Sequence, residues 1–492
     1  MNTHSFLYRE NLSLLTDLYQ LTMSYAAWKT GHTEKEGVFD LYFRHNPFQS
    51  GYAIHCGLDS VLNFIENFKF DKEQTEYLAS LEEPNGNPIF EKDFLSYLRQ
   101  LQLNVNIDAI EEGRVVFAGE PLYRVQGPLL QCQLLETSLL NLVNFETLIA
   151  TKASRVKEAA GSDLVLEFGL RRAQGIDGSI SAARACYVGG ADATSNVLAG
   201  KLFGIPVRGT HAHSWVMAFD DETEAFLTFA KAMPNNCIFL VDTYNSLEGI
   251  KHAITVGQWL KQQGHQLLGI RLDSGDLAYL SIEARKLLDE AGFKEAVIVA
   301  SSDLDENLIL SLKQQGAKID IWGVGTKLVT AYDQPALGGI YKLTAMKEKG
   351  GQWKDRIKLS EQLVKITHPG IHQVRRFYHD GLFAGDMIYD IRHALSTNPI
   401  IVHPHDITRR KQFSLQDKYE GLLIPVVRKG KIIYKRPSLE ESRAKRAHDL
   451  KHLHPSIHRF LHPHEYPVGL ELGLLNHKQE MILALRGFKE NM

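Results

Sequence analysis

The stretch LLGIRLDSGDLAYLSIEARKLLDEAG, Leu267 to Gly292, decides the fold. An apolar run ends at a polar tip, Asp273 to Asp276. The spacing then becomes helical, with Leu277, Leu280, Ile282, Leu287 and Leu288 ahead of a stop at Gly292. Continuous apolar runs of this kind read as strands buried on both faces. The plan recurs in NCIFLVDTYNS (Asn236 to Ser246), AVIVASSDLDE (Ala296 to Glu306) and DIWGVGTKLV (Asp320 to Val329). Upstream it recurs in LEFGLRRAQGIDG (Leu166 to Gly178) and IPVRGTHAHSW (Ile205 to Trp215). Strand, polar loop and helix repeat, so the sheet is parallel, either doubly wound or closed into a barrel. Six tips bearing reactive side chains favour the barrel, in which they converge on one mouth.

Around this zone the texture divides the chain into three. Residues 1–113 mix a helix-like opening (Leu14 to Trp28), a strand-like VFDLYFR (Val38 to Arg44) and a helical Leu58 to Phe68. Short strands from Val115 to Glu136 pack on that zone and lead into a long helix through Lys157, within a barrel zone of 114–346. From Lys347 to the end, 347–492, short apolar and polar runs alternate and histidines accumulate, as in a peripheral domain.

Composition excludes several functions. A formal charge of −3 over 492 residues carries no basic stripe for nucleic acid, which leaves small molecules or a second copy of the chain as partners. The four cysteines are isolated, so neither a zinc ribbon nor a disulfide framework is supported, and a reducing cytoplasm fits. The charged opening MNTHSFLYRENLSLLTDLYQ does not read as a leader, and no stretch reads as a membrane span.

The tips carry particular chemistry. Arg171 and Arg172 present guanidinium forks that match carboxylate or phosphate. His211, His213 and Ser214 offer titratable or nucleophilic atoms. Asp273 and Asp276 offer two carboxylates at one tip, with Arg271 beside them. The glycines of GVGT, Gly323 and Gly325, leave room for a phosphate, Thr326 adds a hydroxyl, and a following helix adds its dipole.

LLTDLYQLTM (Leu14 to Met23), LEFGLRRAQG, GTHAHSW, IRLDSGDL, GVGTKLVT and LGGIYKL (Leu337 to Leu343) occur in that order, ahead of KITHPG (Lys365 to Gly370). Together they resemble the nicotinate phosphoribosyltransferase family. The resemblance implies an α/β fold, an irregular (β/α) barrel with an N-terminal α+β domain and a smaller C-terminal domain. It implies phosphoribosyl transfer from 5-phosphoribosyl-1-pyrophosphate (PRPP) to the ring nitrogen of nicotinate, giving nicotinate mononucleotide and pyrophosphate in NAD salvage. It further implies ATP hydrolysis through a phosphohistidine, magnesium as cofactor, and active sites shared across a homodimer in the cytoplasm. Carried over by position, His213 is the phosphorylated residue and Asp273 its catalytic companion. Tyr19, Arg171, Thr210 and Ser214 hold nicotinate. Arg271, Ser274, Gly275, Asp276, Gly323, Gly325, Thr326 and Thr367 hold the phosphoribosyl and phosphate groups. The chain departs from the family pattern after KITHPG, where His372 and Arg375 stand in a basic segment, and beyond Phe377 no motif is matched.

Plainer readings stand beside these. Arg171 and Arg172 could pair with Glu167 or another barrel carboxylate as structural ions. Tyr19, one turn from Leu15 and Met23, could be core. His211 is read as structural. A rival function takes His211 and His213 as a metal pair in a barrel hydrolase, because His-x-His on a strand points both rings one way. A nucleotide sensor without turnover is a third reading. HPHD (His403 to Asp406) and HLHPSIH (His452 to His458) read as loop histidines rather than metal tracts.

Overall fold

A computed structural model describes residues 11–414 and 416–488. The first ten residues, on which part of the leader reading rests, lie outside that range. By contacts the chain forms two compact units: one of the chain up to Leu148 together with that from Ala336 onward, the other Ile149–Pro335.

The second unit is built on a six-stranded parallel sheet. Its order is Ala193–Thr194, Leu164–Glu167, Ile321–Val324, Val297–Ala300, Gly269–Leu272, Ile238–Leu240. The strands are short and mostly buried, as the continuous apolar runs require. Three of the polar tips have a structural duty. Asn245, Asp276 and Asp305 accept hydrogen bonds from the first backbone N–H groups of helices Ser246–Gln262, Leu277–Glu290 and Glu306–Gln314. Such caps satisfy donors the helix leaves unpaired.

One expected strand is absent. Ile205 to Trp215 makes a single parallel bridge, Thr194 to Val207, while the two-residue strand Ala193–Thr194 takes the sheet position. Pro206 has no N–H to give a ladder, although its carbonyl still accepts from Thr194. On its other side the segment reaches the far edge strand through a side chain: His211 Nε2 accepts the Leu240 N–H at 3.2 Å. The segment therefore spans the gap between the two edge strands, and the barrel is irregular there.

The first unit interleaves the two ends of the chain. Strand Glu36–Phe43 pairs antiparallel with Tyr123–Pro128 on one side and Gly339–Lys347 on the other, and Asn106–Ala109 pairs with Ile424–Arg428. The zones drawn at 113 and 346 are thus regrouped by non-local pairing, which sequence texture does not encode. A second sheet of six strands holds the C-terminal part, with Leu382–Asp390 parallel to Val468–Glu471 and its other pairs antiparallel. The expected helices appear as Leu18–Lys29, Leu58–Asn67 and Glu136–Ala160. Among the described residues no helix is long and apolar enough to cross a membrane.

Candidate active site

A cavity of about 820 Å³ opens at the carboxyl end of the parallel sheet, walled by residues from its strand tips. Arg171, Arg172, Arg208 and Arg271 line it together with Asp273 and Asp303. Four guanidiniums around one opening make an anion site by charge alone.

Arg271 is the most enclosed of them. Burial lowers its pKa, opposed by Asp273 and Asp242 and reinforced by Arg171. One nitrogen donates to Thr210 Oγ1 at 2.6 Å, while its Nε is buried without a partner. Thr210 is therefore engaged in aiming Arg271. Asp242, whose side chain is 1% exposed, accepts from Asp273 N–H at 3.0 Å and from Ser274 Oγ–H at 2.6 Å, and its Oδ1 has no partner. Asp273 in turn accepts from Ser301 Oγ–H at 2.7 Å.

His213 opens the short helix His213–Val216 and faces this network. Its Nδ1 lies 3.2 Å from Thr243 Oγ1, and its Nε2 lies 3.7 Å from Asp273 and 4.0 Å from Asp242. A half-exposed imidazole with one nitrogen held by a hydroxyl and the other toward carboxylates has a fixed ring plane and a reachable edge. His211, two residues away, is different. It packs against Phe226, Phe229 and Phe239, and burial pushes its pKa down to about 4. Its Nε2 lone pair is spent on Leu240 N–H.

Three family models match the chain in sequence: the nicotinate phosphoribosyltransferase N-terminal domain over residues 14–144, the family's central model over 165–359 and its C-terminal domain over 371–478. A Bacillus subtilis nicotinate phosphoribosyltransferase is 44% identical, with 96% of each chain covered. The chain belongs to the nicotinate phosphoribosyltransferase family. The human member is 34% identical, over 93% of this chain and 94% of that one. The crystal structure of human nicotinic acid phosphoribosyltransferase superposes with a TM-score of 0.82 at 32% identity, covering 94% of this chain and 99% of that one. A nicotinate-nucleotide pyrophosphorylase from Pyrococcus furiosus, 21% identical with a TM-score of 0.66, shares the fold.

Against the family pattern the expected residues divide. Arg171, Thr210, His213, Arg271, Asp273, Gly323, Gly325 and Thr326 share the cavity wall. Ser214, Ser274, Gly275 and Asp276 lie beside it, exposed and outside the wall. Ser274 is bound to Asp242, and Asp276 caps its helix through Tyr279 N–H. Gly275 turns the loop at a φ of +81°, a conformation that favours glycine. Gly323 is small because a Cβ there would sit 2.7 Å from the Phe168 ring. The helix after Gly325 is only Thr326–Val329, one turn, so the expected dipole contribution is slight. Tyr19 and Thr367 belong to the other unit. Thr367 is buried, its hydroxyl accepting Lys358 N–H at 2.8 Å. Tyr19 is 49% exposed, which overturns the core reading.

The ion-pair reading of Arg171 also fails. Glu167 is buried, accepts from Thr194 Oγ–H at 2.6 Å and from Gly169 N–H, and neither arginine pairs with it among the described residues. The metal-hydrolase alternative is corrected too: the His211-Ala-His213 segment is not a strand, and His211 points into phenylalanines. Among the described residues, three metal-capable side chains gather only at Cys56, Glu112 and Glu146, in the first unit. Three residues that contact this network were quoted within strand tips but given no role: Asp242, Thr243 and Ser301. Their signal was position, immediately after a buried apolar run.

Proposed function

We propose that the chain transfers the phosphoribosyl group of PRPP to nicotinate, releasing pyrophosphate, and couples this to ATP hydrolysis in a cytoplasmic homodimer that supplies NAD synthesis. The observation that supports it best is the gathering of Arg171, Arg271, Asp273 and His213 on one cavity wall, with buried Asp242 bound to the Asp273 backbone.

Departure of pyrophosphate leaves positive charge on the ribose, so carboxylates must face the sugar and cations the leaving group. Asp273, held by Ser301, supplies the first, and Arg271, aimed by Thr210, serves the second. Arg171, free of any ion pair among the described residues, is the donor for the nicotinate carboxylate. His213 accepts the γ-phosphoryl group: a P–N bond forms as the bond to ADP breaks, and water later takes the phosphoryl group. Thr243 holds the ring during both steps. The unpartnered Oδ1 of Asp242 and the nearby Asp273 are hard oxygen donors that fit magnesium. Magnesium bound there would neutralise phosphate charge.

A homodimer with shared sites is supported by exposed apolar side chains at the barrel mouth, Ile176, Val197, Met217 and Tyr244, each at least 66% exposed. Leu18, Tyr19 and Met23 form a second exposed apolar set on helix Leu18–Lys29. Four free, buried cysteines suit a reducing cytoplasm. The test is pyrophosphate release from PRPP with nicotinate, nicotinamide and quinolinate, each with and without ATP. Nicotinate alone supports fast release, and ATP accelerates it. Equal rates with nicotinamide refute the substrate assignment, and indifference to ATP refutes the coupling.

A further inference from the structure

HLHPSIH reads in sequence as a set of loop histidines, yet His452 is not in a loop. It is the C-cap residue of helix Leu439–Lys451, one turn beyond His448. Positions four apart share a helix face, and the two imidazoles meet there with ring centroids 4.3 Å apart and planes at 36°. The Phe383 ring stacks on that of His452, at 5.7 Å and 17°. One ring is thereby fixed, while His448, 62% exposed by its side chain, can turn toward it.

The hydrogen bonds of this pair decide which nitrogen of each ring is left over. His452 Nδ1 lies 2.8 Å from the His448 carbonyl, and His448 Nδ1 lies 3.2 Å from Asp449 Oδ1. A carbonyl and an ionised carboxylate only accept, so both rings carry their proton on Nδ1, and both Nε2 atoms present a lone pair. Neither Nε2 has a hydrogen-bond partner among the described residues. Asp449 is itself held: its side chain is 1% exposed, and its other oxygen accepts Arg114 Nε–H at 2.7 Å and Val115 N–H at 3.0 Å. A fixed carboxylate behind Nδ1–H orients the ring and raises the basicity of the opposite nitrogen, as behind imidazoles that bind metals.

The neighbouring histidines lack this property. His403 and His405 stand 5.8 Å apart, but His403 Nδ1 accepts the His405 N–H at 3.3 Å. Its proton therefore sits on Nε2, toward Glu465 at 3.7 Å, and that ring has no lone pair to give. His454 likewise spends Nδ1 on the Ser456 N–H.

Zinc–nitrogen bonds of about 2.0–2.1 Å put two ligating nitrogens roughly 3 Å apart, within reach of rings this close. Imidazole suits zinc, nickel and copper(II), whereas magnesium and calcium take oxygen. We propose that His448 and His452 bind one divalent cation of the zinc class through their Nε2 atoms, with water in the remaining positions. The site belongs to the first unit and does not depend on the phosphoribosyl reaction.

Calorimetric titration of the metal-free full chain with zinc chloride tests this. Asparagine sets an amide nitrogen near the place of Nδ1, so His448→Asn and His452→Asn keep that donor and remove Nε2. Each weakens one zinc-binding event at least about tenfold, since even a hydrogen bond behind a metal ligand is worth that much. His403→Asn leaves the event unchanged, and so does excess magnesium. His448 is exposed, so a folding defect at half-buried His452 does not decide the matter. Absence of zinc binding overturns the proposal, as does a zinc event indifferent to both variants, one lost in His403→Asn instead, or one displaced by magnesium.

Discussion

Two histidines two residues apart mark two regions of the barrel with opposite physics. At the mouth, His213 is 38% exposed by its side chain, touches a hydroxyl and faces carboxylates. At the seam, His211 is buried among phenylalanines and accepts a backbone N–H from the far edge strand. The sequence Thr-His-Ala-His presents them as equals. Because the segment is not a strand, their rings diverge, and one stays reachable at the mouth while the other is taken up in the seam. Composition names the residue, but the hydrogen-bond partner assigns its work.

The sharpest way to break this contrast is to remove each ring in turn. His213→Ala leaves the core intact, and on the proposed function it abolishes ATP-stimulated synthesis, a loss above about a hundredfold, while slow ATP-independent transfer survives. Steady-state ATPase and nicotinate mononucleotide assays check both halves. Retained ATP hydrolysis, or a phosphohistidine mapped to His211, inverts the assignment.

Acid stability probes the seam next. In the unfolded chain the His211 imidazole titrates near 6.5, and in the fold at about 4. Between those values the unfolded chain binds a proton that the fold excludes. The stabilising term is therefore complete above pH 6.5 and is lost as pH falls toward 4, amounting to roughly 3 kcal/mol at most. His211→Gln, whose amide oxygen can still accept from Leu240, flattens that part of the denaturant-derived stability profile. An unchanged slope between pH 6.5 and 4 means that His211 titrates freely and the seam is open.

How much of this contrast was legible beforehand follows from the interactions involved. Strands ending at Leu272, Ala300 and Val324 were readable because burial on both faces demands unbroken apolar runs. Helices after Asp276 and Asp305 were readable because caps are local. The Ala193–Thr194 strand was not, since two residues carry no periodicity. Pairing of Glu36–Phe43 with Gly339–Lys347 bridges about three hundred residues, and nothing local encodes it. His213 and Asp273 were in view as tip residues, and their expected roles were legible only through a resemblance. Asp242 was in view, but its role depends on which atoms reach it: Ser274 and the Asp273 backbone on one oxygen, and on the other no hydrogen-bond donor, only His213 Nε2 at 4.0 Å.

A smaller effect is expected at Arg171, because only one of several cations is removed. A charge-assisted hydrogen bond contributes roughly 1.5 to 3 kcal/mol, so Arg171→Ala lowers kcat/KM for nicotinate by about one to two orders of magnitude and spares PRPP. The preference for nicotinate over nicotinamide narrows by the same factor. If the ratio holds, the carboxylate binds elsewhere on the wall, with Arg172, Arg208 and Arg271 as the remaining guanidiniums.

The smallest expected change, a factor of two, carries the comparison beyond one chain. Tyr19 is 49% exposed on helix Leu18–Lys29, so a role in packing does not account for it, and the proposed shared site gives it the pyridine ring of a second copy. Tyr19→Ala and His213→Ala homodimers are each defective in ATP-coupled synthesis. In a mixed dimer of the two variants, sharing across the interface places both defects in one site and leaves the other whole. Tagged heterodimers, isolated and shown not to exchange, then recover near half of wild-type activity. If Tyr19 serves its own subunit instead, each site keeps one defect and the heterodimer is no better than its parents. The measurement separates an exposed aromatic that completes a neighbour's site from one that acts within its own chain.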